Sequence, residues 1–162
     1  MRVIEIMQTP VRVIGANESA EAAWEMMRRH RVHHLVVRHE GQTVGVISAG
    51  DLGGPAGDSF RKGRQTGELM TAKVVAATPE TSVREAANLM RGHSIDSLPV
   101  FEGKKLKGII TTRDVLDLVG RGADRPIARA ERRVLKHRGE QPRQQARAKR
   151  LAGAKVGSVR SR

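Results

Sequence analysis

Two short stretches hold residues whose types and spacing could recognise a ligand: GVISAGDL at 45–52 and GIITTRDV at 108–115. Each sets a hydroxyl and a carboxylate three residues apart, Ser48 with Asp51 and Thr111 with Asp114, behind a glycine and an apolar pair. At the start of a helix, free backbone N–H groups and the helix dipole favour an anion such as phosphate. A carboxylate on the same turn only accepts, and can take both hydroxyls of a ribose. Arg113 could pair a phosphate, whereas the first stretch has Gly50 there, so the second is expected to hold phosphates better. Gly45 and Gly108 would let another group approach the strand closely, since no Cβ stands in the way. The same spacing is equally an ordinary cap, in which hydroxyl and carboxylate satisfy the helix's own N–H groups. Both readings stand at this point.

Other candidates are weaker. The run RRHRVHHLVVRH (28–39) holds four of the six histidines. His33 and His34 are adjacent on an expected strand, so they face opposite sides and do not share a metal. The chain has no cysteine, which excludes disulfides and thiolate chemistry. Met26, Met27 and Met90 read as core packing on helices. No nucleophile–base constellation or glycine-rich phosphate loop stands out, so an enzyme is not expected.

The elements that must position the two stretches come in duplicate. Shifting the sequence by 63 residues aligns it with itself without gaps. The matched identities include Glu5/Glu68, Met7/Met70, Ser19/Ser82, Met27/Met90, Leu35/Leu98, Gly45/Gly108 and Asp51/Asp114. Each copy reads as a short β piece (11–14, 74–77), a helix with Asn17 or Thr81 as candidate N-cap, two strands about a glycine turn, and a helix starting after Ser48 or Thr111. The fold class is therefore α/β (α+β), two β-α-β-β-α units that must pack together to bury their sheets. The expected boundaries are 1–57 for the first unit, 58–67 for a linker, 68–121 for the second unit and 122–162 for a tail.

Charge separates the tail from the body. Residues 1–120 hold 16 Lys and Arg against 14 Asp and Glu, while 121–162 hold 14 against 3. Such a segment favours phosphate backbones without reading sequence, or an acidic protein surface. Its first part, from Pro126, reads as a short helix, and beyond Gly139 the composition is that of a disordered chain. No apolar run reaches the roughly 20 residues of a membrane helix, and the start of the chain lacks an apolar signal core, so a cytoplasmic protein without membrane partner is expected.

The distributed match of both copies, most complete over LMTAKVVAATPETSVREAANLMRGHSIDSLPVFEGKKLKGIITTRDVL, resembles the CBS domain pair, or Bateman module. The resemblance covers about residues 3–119. It implies a pseudo-twofold pair with clefts between the units, commonly a homodimer, that senses an adenine-containing ligand: AMP, ADP or ATP, or else S-adenosylmethionine or NAD. No cofactor is required. It sets the ribose and phosphates against Ser48, Asp51, Thr111, Arg113 and Asp114. The adenine would lie against Thr71, Lys73, Val74, Ser97, Leu98 and Pro99 in the second copy, and against 8–11 and 34–36 (Val11, His34) in the first. There the first copy departs from the second, with Val36 for Pro99 and His34 for Ser97.

Overall fold

The computed structural model describes residues 1–121. The chain opens with a 3-10 turn, Val3–Glu5, followed by β1 (Val13–Gly15), α1 (Ala20–His30), β2 (His34–His39) and β3 (Gln42–Ser48). Two short helices, α2 (Asp58–Arg61) and α3 (Thr66–Leu69), lead to α4 (Val83–His93), β4 (Ser97–Glu102), β5 (Lys105–Thr111) and α5 (Thr112–Arg121). β1 runs parallel to β2, and β2 pairs antiparallel with β3. β4 and β5 form the matching hairpin, and both hairpins slip register at equivalent places, after Val37 and after Val100. The mixed α/β class expected from the repeat is the one observed.

α1 and α4 form for the same reasons. Small and apolar residues recur at helical spacing, burying Ala20, Ala23 and Met27 in one and Val83, Ala86 and Met90 in the other. The caps are Ser19 and Ser82, not Asn17 and Thr81. Ser19 Oγ accepts from the Ala22 amide, and Ser82 Oγ from the Glu85 amide, at 3.0 and 3.1 Å. Thr81 instead accepts from the Thr78 amide one turn earlier. Both helices end on a residue in the left-handed conformation, Arg31 (φ 54°) and Ser94 (φ 53°).

The outer elements differ from expectation. In the second copy the first strand shrinks to one parallel bridge, Ala77 to Val100, at the position matching Ile14 in β1. In the first copy no helix follows Ser48. One turn closes with the Leu52 amide on the Ser48 carbonyl, and Gly53 and Gly54 then turn away at φ 79° and 62°. A left-handed glycine costs little where a side chain would be strained, so the turn ends there.

Residues 58–67, expected as a linker, carry α2 and the start of α3. Arg61 is 1% exposed. Its guanidinium donates to the Leu52 and Gly54 carbonyls at 2.8 and 2.7 Å, pairs with Asp58 and stacks 4.4 Å from the Trp24 ring centroid. A buried arginine is tolerable because its charge is paired and three of its five N–H donors find acceptors.

Two cores sit under the two hairpins, and each is completed by the segment preceding the other copy. Val3, Ile6 and Met7 pack into the second core, whereas Leu69 and Met70 pack into the first. The exchange is symmetric. Gln8 bridges Ile109 of β5, and its repeat equivalent Thr71 bridges Val46 of β3. The Val3 amide donates to the Thr81 carbonyl and the Thr66 amide to the Glu18 carbonyl, both at 2.8 Å.

Candidate ligand-binding site

Both hydroxyl–carboxylate pairs form the reciprocal cap. Asp51 Oδ2 accepts from the Ser48 amide at 2.8 Å, and Ser48 Oγ accepts from the Asp51 amide at 3.1 Å. Asp114 Oδ2 accepts from the amide and the hydroxyl of Thr111, each at 2.7 Å, and Thr111 Oγ1 accepts from the Asp114 amide at 3.3 Å. Asp114 Oδ1 is also engaged, by Gln8 Nε2 at 2.8 Å. A carboxylate has about four acceptor sites. Three are taken at Asp114 and one at Asp51 among the described residues. Asp51 therefore has the greater capacity left for hydroxyls, although the second stretch has the more basic neighbour.

The two glycines are close-approach positions, and the group that approaches is protein. An added Cβ at Gly45 would lie 2.9 Å from the Thr71 carbonyl oxygen, and one at Gly108 would lie 3.1 Å from that of Gln8. The crossing segments run over these glycines and bring 71–75 and 8–12 up to the ends of β3 and β5.

Two cavities, of about 420 and 460 Å³, open beside these crossings. The first is lined by Ser48, Asp51 and His34 of the first copy and by Thr71, Lys73, Val74 and Ser97 of the second. The second joins Gln8, Arg12, Arg31 and His33 to Thr111, Thr112 and Arg113. Each cavity thus mixes the copies: 71–74 meets Ser48 and Asp51, and 8–12 meets Thr111 and Arg113. Because each segment crosses to the other repeat before its own sheet begins, the grouping by copy is exchanged. Leu98 is fully buried in the second core, and Pro99 is buried in β4. Val11 and Asp114 line neither cavity.

His34, Ser48 and Asp96 line both cavities and form the wall between them. His34 Nε2 lies 2.9 Å from Asp96 Oδ1, in ion-pair range, yet the geometry is not that of a hydrogen bond and the nitrogen has no hydrogen-bond partner. His33 is not beside His34 on the strand, because β2 starts at His34. Among the described residues no cluster of three or more His, Asp or Glu is placed to hold a metal ion.

Arg12, Arg31 and Asp96 line the cavities although motif reading passed over them, whereas Gln8 lies in the expected segment 8–11. Arg31 and Ser94 are repeat equivalents directly after α1 and α4, and both line a cavity. Comparing the copies at helix ends, and not only at strand ends, would have found them.

A family profile described as the CBS domain matches residues 3–52 and 67–121. CBS domain-containing protein YhcV of Bacillus subtilis is 27% identical over 112 residues, which are 68% of this chain and 80% of that protein. A homoserine O-acetyltransferase of Methanococcoides burtonii is 32% identical over 120 residues. That match takes in 73% of this chain and only 24% of the enzyme's length. Among solved structures, the CBS domain pair of protein MJ0100, in complex with 5′-methylthioadenosine and S-adenosyl-L-methionine, superposes with a TM-score of 0.67 at 27% identity. The superposition covers 74% of this chain and 96% of that one.

Proposed function

We infer that this chain, which belongs to the CBS domain family, is a regulatory module that binds an adenosine-containing ligand between its repeats and passes occupancy to a partner protein. The observation that carries the reading is the pair of cavities of about 420 and 460 Å³, each walled by both copies, the first lined by Ser48 and the second by Ser48 and Thr111 of the duplicated stretches. That size suits a nucleoside or nucleotide. The structurally similar pair that holds 5′-methylthioadenosine and S-adenosyl-L-methionine supports the ligand class. AMP, ADP, ATP, S-adenosylmethionine and NAD are the ligands to try. A ligand shifts such a module only by its differential affinity for two states, and a wall shared by both cavities lets occupancy be felt by both repeats. The chain senses its ligand and does not turn it over. In this reading it acts in the cytoplasm as a homodimer, a state favoured by Leu116 and Val119, which stand 68% and 63% exposed on α5.

A thermal-shift and calorimetric panel of those five ligands tests the reading. At a ligand concentration of 100 times Kd the folded state gains about 2.7 kcal/mol, a readily measured shift. No response to any of the five at millimolar concentration overturns it.

A second reading rests on composition. The 14 basic against 3 acidic residues over 121–162 favour a nucleic acid or an acidic protein, with the repeats as a dimer scaffold. Apart from Arg121, those residues, including the short helix expected from Pro126, lie outside the described ones. Binding to mixed DNA that vanishes on truncation near residue 122 and weakens steeply with salt would support it. Salt-insensitive binding would oppose it.

A further inference from the structure

We propose that the two cavities divide the ligand chemistry between them: the cavity walled by Arg12, Arg31 and Arg113 takes a phosphorylated nucleoside, and the cavity walled by Asp51 takes an adenosine group without phosphate. This rests on the ligand reading above and adds which class each cavity selects.

The repeat makes the difference visible. Arg12, Arg31 and Arg113 all line the larger cavity, and the residues 63 positions away are Val75, Ser94 and Gly50. Each arginine thus stands where its equivalent carries no charge. Among the described residues none of the three side chains makes an ion pair, since the pairs present involve Arg2, His34, His39, Arg61 and Lys107. Among the described residues, Asp96 is the one carboxylate on that lining. Three arginines bordering one concavity concentrate positive charge there, which an anion would neutralise. Their planar forks match phosphate oxygens, with strength that added salt reduces.

The smaller cavity has the opposite balance. Among the described residues, Lys73 is its one lysine or arginine, and Asp51 and Asp96 line the same cavity. Asp51 spends one acceptor site on the Ser48 amide and keeps the rest for hydroxyls, whereas Asp114 is occupied by Thr111 and Gln8. A ribose is therefore better received here, and a polyphosphate worse, because two carboxylates oppose it.

Calorimetric titration of the full chain with adenosine, AMP and ATP, at low and high salt, tests the division on wild type, Arg31→Ser and Arg113→Gln. Arg31→Ser installs the residue that its equivalent already carries at the same backbone conformation (φ 54° and 53°), so the fold is not put at risk. ATP should bind wild type more tightly than AMP, and each substitution should weaken ATP by about tenfold, the loss of one charge-assisted contact, with adenosine held. Asp51→Asn should shift adenosine and not ATP. Equal affinities for all three ligands, or equal losses for ATP and adenosine in the arginine variants, would overturn the division and leave the adenosine-ligand reading standing. If none of the three binds wild type, the division falls, and the adenosine-ligand reading falls with it only when the five-ligand panel is silent as well.

Discussion

A methyl group added at Gly45 would sit 2.5 Å from Met70 Sδ and 2.9 Å from the Thr71 carbonyl oxygen. The thioether can swing aside, but the carbonyl is fixed by its bridge to Val46. Gly45→Ala should therefore destabilise the protein by about 1–3 kcal/mol, the usual range for overpacking. At Gly50 an added Cβ would meet only Ser48 Oγ, at 3.6 Å. Urea midpoints should fall for Gly45→Ala and hardly move for Gly50→Ala. Equal midpoints would mean the crossing is looser than it looks. The carboxylates follow the same logic of local satisfaction. Asp51 and Asp114 cap their own turns, so a ligand takes only the acceptor sites the cap leaves.

Among the elements, the segment after Ser48 departs most from its counterpart. Gly53 and Gly54 stand where α5 has Leu116 and Asp117, so the first copy makes one turn where the second makes a ten-residue helix. Arg61 replaces what a helix would have supplied, tying the Leu52 and Gly54 carbonyls to Trp24 of α1. Removing the guanidinium leaves two carbonyls without that donor and opens a gap beside Trp24. Arg61→Met should cost about 2–4 kcal/mol, in line with the loss of buried hydrogen bonds to a charged group. Thermal denaturation checks this, and a loss below about 0.5 kcal/mol, the level of ordinary surface substitutions, would show the brace to be incidental.

For the molecule as a whole, the exchange of leading segments means that neither repeat closes its core alone. Val3 is fully buried in the second core although it precedes the first copy. Wild type should unfold in one transition seen alike by tryptophan fluorescence, which reports on Trp24 in the first copy, and by circular dichroism. Val3→Asp, which puts an unpaired charge into the second core, should lower that single transition as a unit. A split into two transitions would refute the interlock.

The sequence by itself determined the duplication, the α/β class and the paired stretches at Ser48–Asp51 and Thr111–Asp114. These depend on local periodicity and on identities at a fixed offset of 63, which a one-dimensional comparison can read. The core helices were legible too, since Ala23/Ala86 and Met27/Met90 recur at helical spacing. Their caps were misread by a residue or two, because Ser, Thr and Asn all suit a cap and only backbone direction chooses among them. The tertiary structure decided which segment meets which stretch. Residues 8–12 reach Thr111 and Arg113, and residues 71–75 reach Ser48 and Asp51, because two half-buried sheets are covered most fully when each borrows the strip preceding the other. That crossing gathers Arg12, Arg31 and Arg113, which lie far apart in sequence, onto one cavity, and leaves Asp51 on the other.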